Sequence, residues 1–246
     1  MTRHQKKVMK SMVQLVKKEL KKVADPNKAK VMQGYCKTTM PMYGIQKPDR
    51  ATVEKQMHAH IKLQTPPVVD RAFYQSCIET LWALPHREEK YLAIDFALHY
   101  KDQISWDNLP VYTSLILHDE FMWWDFVDPI AVNLIGKVAL LEQAKIEPLL
   151  RQWIDDEQHM WLRRTALLAQ LKHKKQTKED LLFEFCRKRM HEKEFFIRKA
   201  IGWVLREYGK TSPESVVQFL QQEKANLSGL SYREGSRILI KNGYMT

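Results

Sequence analysis

Apolar residues recur along this chain at the three- and four-residue spacing of amphipathic helices, and polar clusters and prolines interrupt them. Thirteen segments follow, at about 4–23, 27–38, 50–63, 68–82, 86–100, 107–119, 122–137, 140–153, 156–173, 178–190, 194–209, 213–223 and 230–241, each end uncertain by several residues. Pro26, Pro41, Pro48, Pro66-Pro67, Pro85, Pro110, Pro148 and Pro213 are read as the punctuation. No stretch alternates with period two over the length of a strand, so the expected class is all-α.

A weak internal repeat adds an architecture. Ala93-Ile94-Asp95-Phe96 is echoed at Ala131-Val132-Asn133-Leu134, Ala166-Leu167-Leu168-Ala169 and Ala200-Ile201-Gly202-Trp203, with starts 38, 35 and 34 residues apart. That is near the period of two-helix repeats, roughly 34–47 residues. The expectation is a superhelical solenoid of HEAT-like antiparallel helix pairs with a concave face. It would be a single domain, a basic N-terminal helix over 1–25 followed by the repeat array over 27–241.

Composition narrows the partners. The 246 residues are 44% hydrophobic, enough for a real core. Lys and Arg number 40 against 29 Asp and Glu, a formal charge of +11 that favours a polyanionic partner such as nucleic acid. Cys36, Cys77 and Cys186 lie far apart with no zinc or redox spacing, which points to a reducing, cytoplasmic setting. No apolar run reaches the roughly 20 residues of a membrane span, and the Lys-rich Met1–Lys22 stretch does not read as a secretory leader. Its Lys17, Lys18, Lys21 and Lys22, like the run Lys172, Lys174, Lys175 and Lys178 around His173, are basic; such runs are usually solvated faces. Phosphate-cradling loops, Ser-His-Asp sets and zinc spacings are absent from the sequence, which argues against nucleotide hydrolases and metalloenzymes.

Three places do not read as simple packing. Over 194–209, Ile197, Ala200, Ile201, Val204, Leu205 and Tyr208 share one helical face, which leaves Trp203 on the other with Lys199, Arg206 and Lys210. Gly202 beside it costs about 1 kcal/mol of helix propensity relative to Ala. Trp203 thus reads as a ligand surface or as packing against a neighbouring helix. In Trp123-Trp124-Asp125-Phe126-Val127-Asp128-Pro129, Trp124 and Asp128 share a face if the helix is continuous. Alternatively Pro129 is a first helical residue and Asp128 its cap. Arg164 sits among Met160, Trp161, Leu167 and Leu168, where it needs a carboxylate or a phosphate, unless it snorkels to an internal salt bridge.

Longer motifs carry a resemblance. Tyr35 through Met40-Pro41-Met42-Tyr43-Gly44-Ile45-Gln46-Lys47-Pro48, Leu81-Trp82-Ala83-Leu84-Pro85-His86-Arg87-Glu88, Trp123 to Asp128, Trp161-Leu162-Arg163-Arg164, and the run from Lys193 to Tyr208 together resemble the AlkD-type alkylpurine DNA glycosylases over about residues 27–241. The resemblance implies a HEAT-like superhelix holding duplex DNA in its concave face. It implies release of N3- or N7-alkylated, cationic purines without base flipping, by Trp124, Asp128 and Trp203. Arg164 would lie at the DNA backbone near the lesion, and Gln46 and Tyr35 would line the same cleft, with Lys199 and Arg206 as further DNA contacts. It implies neither cofactor nor metal, and a monomer is expected. Two other readings fit the residues: a non-catalytic helical-repeat protein that binds DNA structure, and a scaffold for acidic protein partners.

Overall fold

The computed structural model describes residues 1–117 and 121–246, and the last two positions of the segment expected over 107–119 lie outside them. Among the described residues there are helices and turns and no strand, as the periodicity requires. The chain divides into two compact units, Met1–Phe126 and Val127–Thr246. No helix among the described residues is long and apolar enough to cross a membrane.

The first unit contains α1 (Arg3–Lys22), α2 (Pro26–Cys36), α3 (Lys47–Lys62), α4 (Arg71–Trp82), α5 (Arg87–His99) and α6 (Leu109–Ile116), with two short 3-10 turns between the last pair. The helix α1 begins at a capping box in which Thr2 and Gln5 satisfy each other's backbone N–H. It buries Val8, Met12, Val16 and Leu20, one residue per turn, against α3 and α4. Its Lys18, Lys21 and Lys22 stay exposed, as expected of a solvated face. The helix α4 starts three residues later than expected because Asp70 caps it, accepting from the Phe73 N–H at 2.8 Å. Between α4, α5 and α6 the fully buried Tyr74 donates through its hydroxyl to the Ala97 carbonyl at 3.1 Å and meets the Tyr112 hydroxyl at 2.9 Å, so neither phenol is an orphan in the core.

The short α7 (Trp124–Pro129) leads into a π-helical stretch, Ile130–Ile135, and then α8 (Gly136–Leu141). The second unit continues with α9 (Gln143–Ile154), α10 (Met160–Leu168), α11 (Glu179–Arg189), α12 (Phe195–Tyr208), α13 (Pro213–Gln222) and α14 (Gly229–Lys241). In it α9 packs on α10, α10 on α12, and α12 most extensively on α14. The repeat starts Ala93, Ala131, Ala166 and Ala200 are all buried.

Several boundaries differ from expectation. Pro26, Pro48, Pro110 and Pro213 do open helices, where the missing N–H costs nothing. Pro148 separates nothing: it lies inside α9, whose buried Ile146, Leu150, Trp153 and Ile154 hold the helix together across the lost hydrogen bond. The segment expected over 156–173 contracts to α10. Asp156 draws the N–H groups of Gln158 and His159 into a turn at 2.9 and 2.6 Å before the helix can begin. After Leu168 the chain turns, and His173 is buried with its ring N–H donated to the Gly136 carbonyl at 2.8 Å. The histidine inside the basic run is therefore a packing residue, and burial lowers its pKa from the ordinary value.

Candidate active site

Asp128 is the fifth residue of α7, so it does not cap a helix. Pro129 follows in ordinary right-handed helical conformation, φ −64° and ψ −34°. A proline here cannot donate to the carbonyl four residues back, and the wider π turn begins directly after it. Trp124 and Asp128 are thus four apart on one helix, the continuous-helix alternative. Both are half-buried.

The Asp128 carboxylate is held at both oxygens by one guanidinium. Arg164 Nε donates to Oδ1 at 2.8 Å and Nη2 to Oδ2 at 2.9 Å, the bidentate fork that only arginine can make. A third donor, Nη1, reaches the Phe196 carbonyl at 2.5 Å. Arg164 is only 3% exposed. Of the two readings of Arg164, the structure gives the internal salt bridge, made to a carboxylate. The preceding Arg163 is also buried, and its partner is Glu192, with N···O distances of 3.1 and 2.7 Å. The result is a carboxylate fixed in orientation by a bidentate guanidinium.

On α12 the expected core face is the observed one: Ile197, Ala200, Ile201, Val204 and Leu205 are buried, and Tyr208, half-buried, donates its hydroxyl to Glu179 at 2.9 Å. Trp203 is half-buried. Its neighbours alter the reading of this helix. Lys199 Nζ and Arg206 Nη1 each sit 2.6 Å from an oxygen of Glu234 on α14. The hydrogen bond from Lys199 is the main cause of a Glu234 pKa below the usual carboxylate range; burial opposes it and the nearby cations assist it. Two of the three cations expected to frame a ligand surface therefore converge on one carboxylate, Glu234, while Lys210 pairs with Glu207. Glu234 lay in a different segment, and no local pattern linked it to them.

Gly202 also has a packing reason. A Cβ there would lie 2.5 Å from the Glu234 Cβ and 3.0 Å from the Ser231 carbonyl oxygen. The missing side chain lets α12 and α14 approach closely, and Ser231 Oγ fastens the contact by donating to the Arg198 carbonyl at 2.9 Å. Gly202→Ala is expected to destabilise the protein by about 1–3 kcal/mol, the cost of overpacking, despite alanine's higher helix propensity. Urea denaturation would read this, and a stabilised variant would show that the two helices can separate without penalty.

Tyr35, Gln46 and Trp124 belong to the first unit. Tyr35 stands on α2 with 70% of its surface exposed, and Gln46 is the exposed residue just before α3. Exposed aromatic and amide side chains with little internal engagement suit contact with a partner. The loop leading to Gln46 is strongly fixed. Glu88 is fully buried and accepts the backbone N–H groups of Tyr43, Gly44 and Ile45 at 3.0, 2.8 and 3.0 Å. Gly44 has φ +80°, and a Cβ on it would fall 2.1 Å from the Asp25 carbonyl, so only glycine fits. Tyr43 stacks on His86 at 3.9 Å. Arg87, also fully buried, donates to Asp125 at 2.6 Å, and the Tyr91 hydroxyl bonds the other Asp125 oxygen. In the sequence His86, Arg87 and Glu88 stand as motif residues with no evident role. Their task is to lock the loop before Gln46 and the start of α7. Uncompensated buried charges could have been suspected from Arg87 and Glu88 next to an apolar run, but their partners lie some 35–45 positions away.

Comparison with known proteins bears on what these groups serve. No curated protein matches the chain in sequence. A solved structure titled "Predicted DNA alkylation repair enzyme from Enterococcus faecalis" is similar to it, at 31% identity with a TM-score of 0.76, over 89% of this chain and 97% of that one. Residues 16–239, which include Asp128, Arg164, Trp203 and every other candidate named above, match the profile of the family described as DNA alkylation repair enzyme. The chain belongs to the DNA alkylation repair enzyme family.

Proposed function

We propose that this protein is a DNA glycosylase that hydrolyses the N-glycosidic bond of cationic N3- or N7-alkylated purines, such as 7-methylguanine and 3-methyladenine, in duplex DNA. One observation carries the reading: a half-buried carboxylate, Asp128, is held at both oxygens by a buried arginine, in a chain of an alkylation-repair family.

The chemistry matches that group. An N3- or N7-alkylated purine carries a positive charge and departs as a neutral base, so the step needs neither a strong general acid nor a metal. Positive charge accumulates on the deoxyribose, as in other oxocarbenium-like transition states. A fixed carboxylate beside the sugar stabilises that charge and orients or deprotonates the attacking water. Asp128 has this role. Arg164 is assigned as its positioning residue, a change from the DNA-backbone contact that the resemblance implied. The fork holds the carboxylate aimed, so little reorganisation is required as charge develops. The aromatic faces of Trp124 and Trp203 are assigned to the electron-poor sugar and the cationic nucleotide, which their quadrupoles attract. Tyr35 and Gln46, exposed in the first unit, are assigned to the duplex, along with Lys199 and Arg206 through whatever donors Glu234 leaves free. A site that responds to leaving-group charge does not require the base to be turned out of the stack.

The test is base release from a duplex carrying a single 7-methylguanine, followed by free base and by strand scission at the abasic product. The expected result is release of 7-methylguanine and no release of guanine. Duplex affinity should fall steeply as salt rises, because the +11 chain displaces counterions on binding. Salt-sensitive binding with no release from this substrate or from 3-methyladenine would replace the proposal with a non-catalytic DNA-binding role.

A further inference from the structure

The helices α3 and α5 bring together three potential metal ligands that the proposed chemistry does not use. Glu54 and His58 are four apart on α3 and share a face. His99 closes α5. One ligand atom from each lies within 4.8 Å of the others, and His58 Nε2 is 3.8 Å from the Glu54 carboxylate, too long for a hydrogen bond. His58 is 92% buried by its 8% exposure, yet among the described residues neither of its ring nitrogens has a hydrogen-bond partner. Buried polar groups are nearly always satisfied, so two orphaned nitrogens on one imidazole call for a reason.

We propose that Glu54, His58 and His99 form a site for one divalent transition metal of the zinc class, which ties α3 to α5 within the first unit. The donor set of two imidazoles and one carboxylate suits zinc and its neighbours, leaving a fourth position for water. With metal–ligand bonds of about 2.0–2.2 Å, a tetrahedral site needs ligand atoms about 3.4 Å apart. The ligand atoms now lie within 4.8 Å of one another, so the side chains must rotate inward to reach that spacing. His99 stacks on His58 at 3.5 Å with 12° between the rings, whereas an ion shared by two imidazoles lies in both ring planes. The exposed His99 ring must therefore tilt out of the stack, and it has solvent to move into. Phe96 and Tyr100 also pack around His58, with ring centroids 6.0 and 5.5 Å away, and help keep it in place as the fixed ligand.

The full-length protein, stripped with a chelator, would be dialysed against zinc or cobalt(II) and assayed for bound metal, visible cobalt absorption and thermal stability. The expected result is one equivalent bound per chain, a cobalt ligand-field band of low-coordinate character, and a rise in Tm of about 5 °C or more at saturating zinc. His99→Ala and Glu54→Gln, both outside the buried core, are expected to weaken binding at least about tenfold and to remove the band while leaving the helical circular dichroism intact. Failure of the native chain to bind either ion, or undiminished binding by His99→Ala, would overturn the site and leave a stacked histidine pair.

Discussion

Asp128→Asn is expected to slow base release by about 10²–10³-fold, the usual loss when one preorganised electrostatic contact to a transition state is removed. The substitution is nearly isosteric and removes the negative charge. Nothing else on α7 need move: Trp124 stays four residues upstream, and Pro129 keeps its helical conformation. The substitution also removes half of the fork. Arg164 Nε and Nη2 now donate to two carboxylate oxygens at 2.8 and 2.9 Å, and an amide offers one oxygen and an N–H that opposes the other donor. A guanidinium only 3% exposed is left under-paired, so stability should drop by about 1–3 kcal/mol as well. Duplex affinity should change little, because affinity comes mainly from phosphate contacts. Release kinetics under single-turnover conditions, gel-shift affinity and Tm measured together separate these effects. Full retention of release would remove Asp128 from the chemistry. A matched fall in release and binding would point to misfolding, which Arg164→Lys can distinguish: it keeps the positive charge but loses the fork, and so should lower release with less harm to binding.

The largest effect on stability is expected at Glu88, a residue with no proposed contact to DNA. Glu88→Ala strands the N–H groups of Tyr43, Gly44 and Ile45 in a buried site. Each unsatisfied donor costs about 1–3 kcal/mol, and partial relaxation of the loop brings the total to about 3–5 kcal/mol. Glu88→Gln keeps one accepting oxygen of the right shape and should recover a substantial part of that. Equilibrium denaturation gives both numbers. A loss under 1 kcal/mol for the alanine variant would show that solvent readily takes over the three bonds. Because Gln46 follows this loop directly, the glutamine variant, if well folded, should retain duplex binding.

The two predictions concern residues of different legibility. Helical periodicity exposed the core face of α12, and the long run from Lys193 to Tyr208, with Trp124 and Asp128, carried the family resemblance that the profile match over residues 16–239 supports. Arg164 stood out because a charge on an apolar stripe is costly without a partner. None of this named the partner. Asp128 and Arg164 are 36 positions apart, as are Glu234 and Lys199 within one position, and Glu88 and Tyr43 are 45 apart.

What the sequence by itself determined was therefore the local part: the helical class, most helix positions, the buried face of α12, and the residues that mark the family. Backbone hydrogen bonding and side-chain periodicity act within a few residues, so they can be read from a few residues. Only the tertiary structure decided what each polar residue on those helices does. It gave Gly202 a packing role against α14, spent part of the charge of Lys199 and Arg206 on Glu234, carried the helix through Pro129, and set Glu54, His58 and His99 side by side. The physical reason is that a buried charge or a missing Cβ is satisfied by whichever group packs against it, and that choice is made by chain segments tens of residues away.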